Sequence, residues 1–313
     1  MNLRSVVPLF VLGCLGSAWS SACTEIKGDP SGGDGGLAAD GAPLPGVDGG
    51  ASSSDGGADG SSGVFTDYGM VSLSYADYGT VKSFTGFAQF QKTTGALPGL
   101  PPCQSETEGE CVFYQCGASP QVDAGAPLDA GTVPPHAGVI TVSGARIPAG
   151  TTLVPGADGK YPVLSRSMLD AWSGGEALAV SAAGGNVPAF DGTVSAPAPG
   201  IALTAPVLAP PQKAEVDRSR GLTVSWSGGG AGTLTVSATA AVQGGGSALV
   251  TCRFDAAKGT GQMPTKLLSK LPAGDGGFGA SISSTTQLKA GPYTVTVLAS
   301  SSVKNATGQV TLR

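Results

Sequence analysis

The sequence predicts an all-β protein, with two β-sandwich-like domains behind a signal peptide and a disordered tether rich in Gly, Asp and Ser. Three observations predict it. Only 12% of the 313 residues are charged while 41% are hydrophobic, a balance poor in the Glu, Lys, Arg and Leu that long helices favour. Gly (51) and Pro (23) divide the chain into short segments. Within those segments apolar residues recur at every second position, the period of a strand with one buried face. No such run leads into a crossover helix, which argues against a parallel α/β sheet.

Residues 1–22 read as an export signal. Arg4 supplies the positive start, and Val6 to Trp19 is uncharged and mostly apolar but broken by Pro8, Gly13 and Gly16. Ser20, Ser21 and Ala22 then precede Cys23. This arrangement resembles the lipobox of bacterial lipoproteins, with Ser20 where that motif usually has Leu. The resemblance implies acylation of Cys23, with Val11-Leu12-Gly13-Cys14 as the alternative site. Cysteine parity favours Cys23, because its lipidation leaves Cys103, Cys111, Cys116 and Cys252, an even set, whereas Cys14 leaves five. The expected location is therefore the bacterial cell envelope, lipid-anchored at the outer membrane or periplasmic face. Cleavage after Ser20-x-Ala22, giving a secreted soluble protein, is the alternative.

From Cys23 to Gly63 the composition is that of a tether. In residues 24–63, 33 of 40 are Gly, Ser, Asp, Ala or Pro, too little apolar surface to offset the entropy of ordering. A flexible coil of this length spans on the order of 35 Å. Seven acids and one base lie here, so the net charge of −5 belongs to the tether. Residues 64–313 hold 15 acids and 15 bases and no dense basic patch, which argues against a nucleic-acid partner.

The first β domain is expected over 64–197, interrupted by a low-complexity loop at 117–137. In "MVSLSY" Val71, Leu73 and Tyr75 share a face, whereas "TVKSFTGFAQF" is expected to change face near Gly86. "GVITVSG", "EALAVSAAG" and "AFDGTVSAP" supply later strands. His136, the single histidine, stands beside Pro134-Pro135 and is read as loop rather than ligand or base.

The second domain is expected over 198–313. "GLTVSWSGG" places Leu222, Val224 and Trp226 on one face, "TLTVSATAAV" does the same for Leu234, Val236 and Ala238, and "LKAGPYTVTVLAS" and "TGQVTL" follow. The pattern resembles a fibronectin type III or immunoglobulin-like sandwich. That resemblance implies that Trp226 is the core Trp of an early strand and Tyr293 the corner tyrosine, its hydroxyl bonded to backbone. Pro264, Leu267, Leu268, Leu271 and Pro272 predict a two-turn helix inserted between the sheets.

Cys111 and Cys116 stand too far apart along one strand to bond each other. Cys103 and Cys111 flank "QSETEGE", which suits a cross-strand bridge, with Cys103–Cys116 as the alternative. Cys252, alternating with Val250 and Phe254, is expected as a buried thiol. The cysteine spacings lack the short paired intervals of a zinc site, and no cofactor motif or catalytic nucleophile motif is present. Glu106, Glu108 and Glu110 are expected on a solvated turn. Trp172, in "MLDAWSGGE", is the one candidate ligand contact, weighed against a place in the core. The function expected is non-catalytic: a membrane-anchored envelope module that binds a protein or polysaccharide or serves envelope structure. A carboxylate-based envelope hydrolase is the alternative.

Overall fold

The computed structural model describes residues 67–77, 79–92, 103–117, 133–167, 170–208 and 211–313. The expected signal peptide, Cys14, Cys23, the expected tether and most of the 117–137 loop lie outside them. In chain order the strands are β1 (Tyr68–Asp77), β2 (Lys82–Gln91), β3 (Cys103–Glu108), β4 (Cys111–Cys116), β5 (Ile140–Gly144), β6 (Thr151–Leu153), β7 (Leu164–Ser167), β8 (Ala177–Ala182) and β9 (Phe190–Ser195). There follow β10 (Ala202–Ala205), β11 (Ala214–Val216), β12 (Leu222–Ser227), β13 (Thr233–Val242), β14 (Gly246–Asp255), β15 (Thr260–Met263), β16 (Gly274–Ala290), β17 (Tyr293–Ser301) and β18 (Thr307–Leu312). The one α-helix among the described residues, α1, covers Thr265–Leu268.

These strands make three sheets. The largest has 11 strands in the order β3-β4-β14-β13-β16-β17-β1-β2-β7, with β18 also on β16 and β11 on β18. Two smaller sheets, β6-β5-β8-β9 and β10-β12-β15, carry the remaining strands. All neighbours are antiparallel except β1–β17 and β11–β18.

The axis of the molecule is β16, 17 residues long. Its first half pairs with β13 and β18, its second half with β17. Phe278 and Ile282 lie in one buried core, and Ala290, with Leu288 packed beside it, lies in the other. All four are even-numbered, and strand side chains alternate, so both cores sit on the same side of the large sheet. The four-stranded sheet covers one half of that side. The three-stranded sheet and α1 cover the other.

Residues 64–313 form one compact unit. A division at 197/198 describes the two cores only in part, because each borrows strands from the other's segment. Val295, Val297 and Ala299 of β17 belong to the first core, and Cys111 and Phe113 of β4 to the second. The β16–β17 ribbon reaches out of the second segment to pair with β1, while the β3–β4 hairpin leaves the first to extend β14. Tyr293 is therefore not a corner residue of the second sandwich. It opens β17 directly after the Gly291-Pro292 turn and is buried in the first core.

Local predictions hold where alternation decides. Val71, Leu73 and Tyr75 point inward, as do Val224 and Trp226. The expected change of face near Gly86 does not occur: Phe84, Gly86, Ala88 and Phe90 all face inward and Phe87 outward. Gly86 leaves room for Leu153, whose Cδ2 would lie 3.0 Å from a Cβ there. The predicted helix forms after Pro264 and buries Leu267, Leu268 and Leu271. Its regular α part is a single turn, and three-residue hydrogen bonds from Lys270 and Leu271 tighten its end.

The disulfides run Cys103–Cys116 and Cys111–Cys252, not Cys103–Cys111 with a free Cys252. The reason is the register. "QSETE" is strand rather than turn, and the two-residue connection Gly109-Glu110, with Gly109 at φ 58°, sets Cys103 opposite Cys116 and Glu108 opposite Cys111. Cys111 then lies opposite Cys252 of β14, Cα–Cα 4.0 Å. Two disulfides place the folded unit in an oxidising compartment, envelope or extracellular.

Candidate functional site

Trp172 is not a ligand platform. It is 1% exposed, edge-on to Tyr75 (centroids 5.5 Å) and Phe84 (6.2 Å), and its Nε1 donates to Ser301 Oγ at 2.9 Å. Ser301 Oγ in turn donates to the Pro197 carbonyl at 3.1 Å, a buried polar chain where the two cores meet. Trp226 is likewise structural, stacked on Phe254 and donating from Nε1 to Ala256 O. His136 serves its own loop, with Nδ1 accepting from the Gly138 amide and its backbone amide donating to Asn186 Oδ1.

The acidic residues act as clamps. Glu106 stands on a strand rather than a turn: on the inward face of β3, partly solvated, it accepts from Lys270 and from Lys266 of α1, fixing the hairpin to the second core. Glu110 pairs with Lys258 at 2.9 Å, and Glu108 keeps one carboxylate oxygen buried. Asp170 accepts from Lys82 at 2.8 Å, Arg146 at 3.2 Å and the Tyr75 hydroxyl at 3.2 Å. Lys82 holds the Asp170 carboxyl below the usual range, with Tyr75 and Arg146 adding to it, and Lys270 then Lys266 do the same for Glu106. At Glu176 burial opposes ionisation, but the amides of Ser173 and Gly174 outweigh it and lower the carboxyl. The Ser219 hydroxyl and amide lower Asp217. These four carboxyls are held anionic, the opposite of what a general acid in glycoside hydrolysis requires. Among the described residues no group of three His, Cys, Asp or Glu is placed to hold a metal.

A depressed carboxyl stabilises the fold above its ordinary titration range, and that contribution is lost as pH falls through the lowered value. The melting temperature should therefore drop on acidification below about pH 4. Asp170→Asn and Glu106→Gln should each melt slightly below the wild type at neutral pH and converge with it in acid. The effect is small because the pairs are exposed and screened. A gap that persists at low pH would show that charge is not its cause.

What remains is the outward face of the large sheet, none of whose residues belongs to either core. At its centre the register aligns Ser165 of β7, Thr85 of β2, Ser74 of β1, Ser300 of β17, Ser283 of β16 and Thr233 of β13. Six hydroxyl side chains thus stand abreast on six adjacent strands, spaced by the inter-strand distance of about 4.8 Å, a row of roughly 24 Å. The row runs over the junction of the two cores. Beside it Phe87, Ser72, Leu298 and Thr285 form the next row, and Leu249 pairs with Tyr114 on the far wing. Phe87 and Tyr114 are both half-buried. Solvated sheet faces commonly mix Lys and Glu into such positions. Here the six hydroxyl residues and the four beside them carry no charge, and Asp255 of β14 follows Thr233 at the end of the first row.

No family model and no curated protein matches the chain. No helix among the described residues is long and apolar enough to cross a membrane. The hydroxyl row was missed by sequence reasoning because each strand contributes one residue to it. Outward serines and threonines are visible in every strand, but only the register aligns them.

Proposed function

We propose that this is an exported envelope protein, acylated at Cys23, whose interlocked sandwiches form a non-catalytic binding module for an uncharged polysaccharide. The observation that carries this reading is the six-hydroxyl row with Phe87 beside it. Uncharged hydroxyls offer donors and acceptors to sugar hydroxyls at little desolvation cost, and a half-exposed ring offers an apolar surface to the carbon face of a sugar. The tether composition of residues 24–63 suits a spacer between lipid and folded unit. The fibronectin type III resemblance of the second segment is supported by β10-β12-β15 facing β14-β13-β16-β18, a three-on-four sandwich with a buried Trp on an early strand.

The test measures binding of the folded unit to neutral and to acidic polysaccharides at low and high salt. Retention on a neutral polymer that survives high salt is expected, with Ser283→Lys and Phe87→Ala each weakening it tenfold or more at unchanged melting temperature. Failure to bind any neutral polymer, or binding to acidic polymers at low salt only, would refute the assignment. Metabolic labelling with a palmitate analogue tests the anchor separately. Label should be lost in Cys23→Ser, and label lost instead in Cys14→Ser would move the anchor.

A further inference from the structure

Among the described residues, six valines are exposed: Val81, Val133, Val139, Val154, Val163 and Val207. Four of them, Val133, Val139, Val154 and Val163, belong to the loops at one end of the molecule. That end lies along the large sheet from the β16–β17 turn, where Pro188 meets Gly291, to Gly86 of β2, which Leu153 meets and which pairs with Leu164. Its loops bind one another through Tyr161, whose hydroxyl donates to Gly138 O at 2.7 Å and accepts from the Ala137 amide, and through the Gly184 amide, which donates to Ala137 O. A Cβ on Gly291 would lie 2.9 Å from Pro188, and one on Gly159 would lie 2.7 Å from Val133 Cγ1, so these loops are in direct contact. Gly159 also has φ +78°, so that close approach is built for glycine alone. Pro134, Pro155 and Pro162 adjoin the valines, and the charged pair in the 154–163 loop, Lys160–Asp158 at 3.9 Å, is self-neutralising.

This is also the end at which the chain enters the fold. β1 begins at Tyr68, level with Thr294 at the start of β17 and Gln91 at the end of β2. A chain anchored at Cys23 therefore delivers this end first to the lipid, through a segment that spans on the order of 35 Å as a coil. Clustered exposed apolar side chains mark an interaction surface, and here the nearest apolar phase is the bilayer itself.

We propose that this valine and proline tip docks on the lipid surface that carries the anchor, standing the far half of β16 away from the membrane. The proposal rests on the acylated reading of Cys23. It is tested on the full-length acylated protein in phosphatidylethanolamine–phosphatidylglycerol vesicles whose acyl chains are brominated, which quench tryptophan on contact. Val154→Trp and Val163→Trp probe the tip. Val207→Trp is the control: Val207 adjoins Leu208, which packs on Gly308 opposite Phe278, 12 residues along β16 from Ala290 and about 40 Å away. Trp172 and Trp226 are buried and give a constant background.

The expected result is at least twofold quenching of both tip variants relative to unbrominated vesicles, with none for Val207→Trp. Adding Val139→Asp to Val163→Trp should abolish the quenching while the protein still floats with the vesicles. Flotation without quenching at the tip overturns the docking and leaves the anchor standing. Loss of flotation overturns both. A tip tryptophan that shifts to the blue with protein concentration in the absence of lipid would identify a second copy of the chain as the occupant, and also overturns the proposal.

Discussion

Trp172→Ala is expected to lower the unfolding free energy by about 3–5 kcal/mol, the range for removing a large aromatic side chain from a packed core. The position explains the size. Trp172 packs edge-on against Tyr75 and Phe84 and donates to Ser301, the last residue of β17. Its removal opens a cavity in the first core and leaves the Ser301 hydroxyl with its bond to Pro197 O alone, at the place where the chain passes towards the second core. Denaturant titration checks the loss. A change under about 1 kcal/mol would mean that the site collapses at little cost, outside the range for such truncations.

The second large effect concerns the disulfides. Cys111–Cys252 closes a sequence separation of 141 residues and Cys103–Cys116 one of 13. On the loop-entropy account the first contributes about 4–5 kcal/mol and the second about 3 kcal/mol. Cys111→Ala/Cys252→Ala should therefore destabilise more than Cys103→Ala/Cys116→Ala, measured side by side in denaturant. The burial of Cys111 and Cys252, at 1% and 0% exposure, adds a packing loss in the same direction. The reverse order would show that the hairpin's own closure, rather than its clamp onto β14, holds this wing of the sheet.

Both predictions turn on contacts that no local pattern encodes. Alternation identified the inward faces of β1, β12 and β13, because a buried face imposes a period of two on its own strand. It did not identify partners, since a strand that reads apolar on one face is compatible with any neighbour of matching register. The ribbon of β16 and β17 was read as part of one sandwich although it serves two. Edge strand β3 was read as a turn because "CQSETE" has no apolar face: it borders solvent on one edge, and its inward Glu106 meets Lys266 of α1 and Lys270 just beyond it rather than core. Trp172 was ambiguous for a related reason. Its own segment is turn-rich, and its burial is created by β1, β2 and β17 from elsewhere in the chain. The hydroxyl row is the extreme case, with six residues drawn from six strands.

The central structural claim is that two cores behind one continuous sheet, exchanging a hairpin and a ribbon, behave as one unit. Differential scanning calorimetry of residues 64–313 tests it most directly. The claim predicts a single transition whose calorimetric and van't Hoff enthalpies agree, and that Trp172→Ala in the first core and Trp226→Ala in the second each shift as a whole. Two resolved transitions, with each substitution moving only its own, would contradict it.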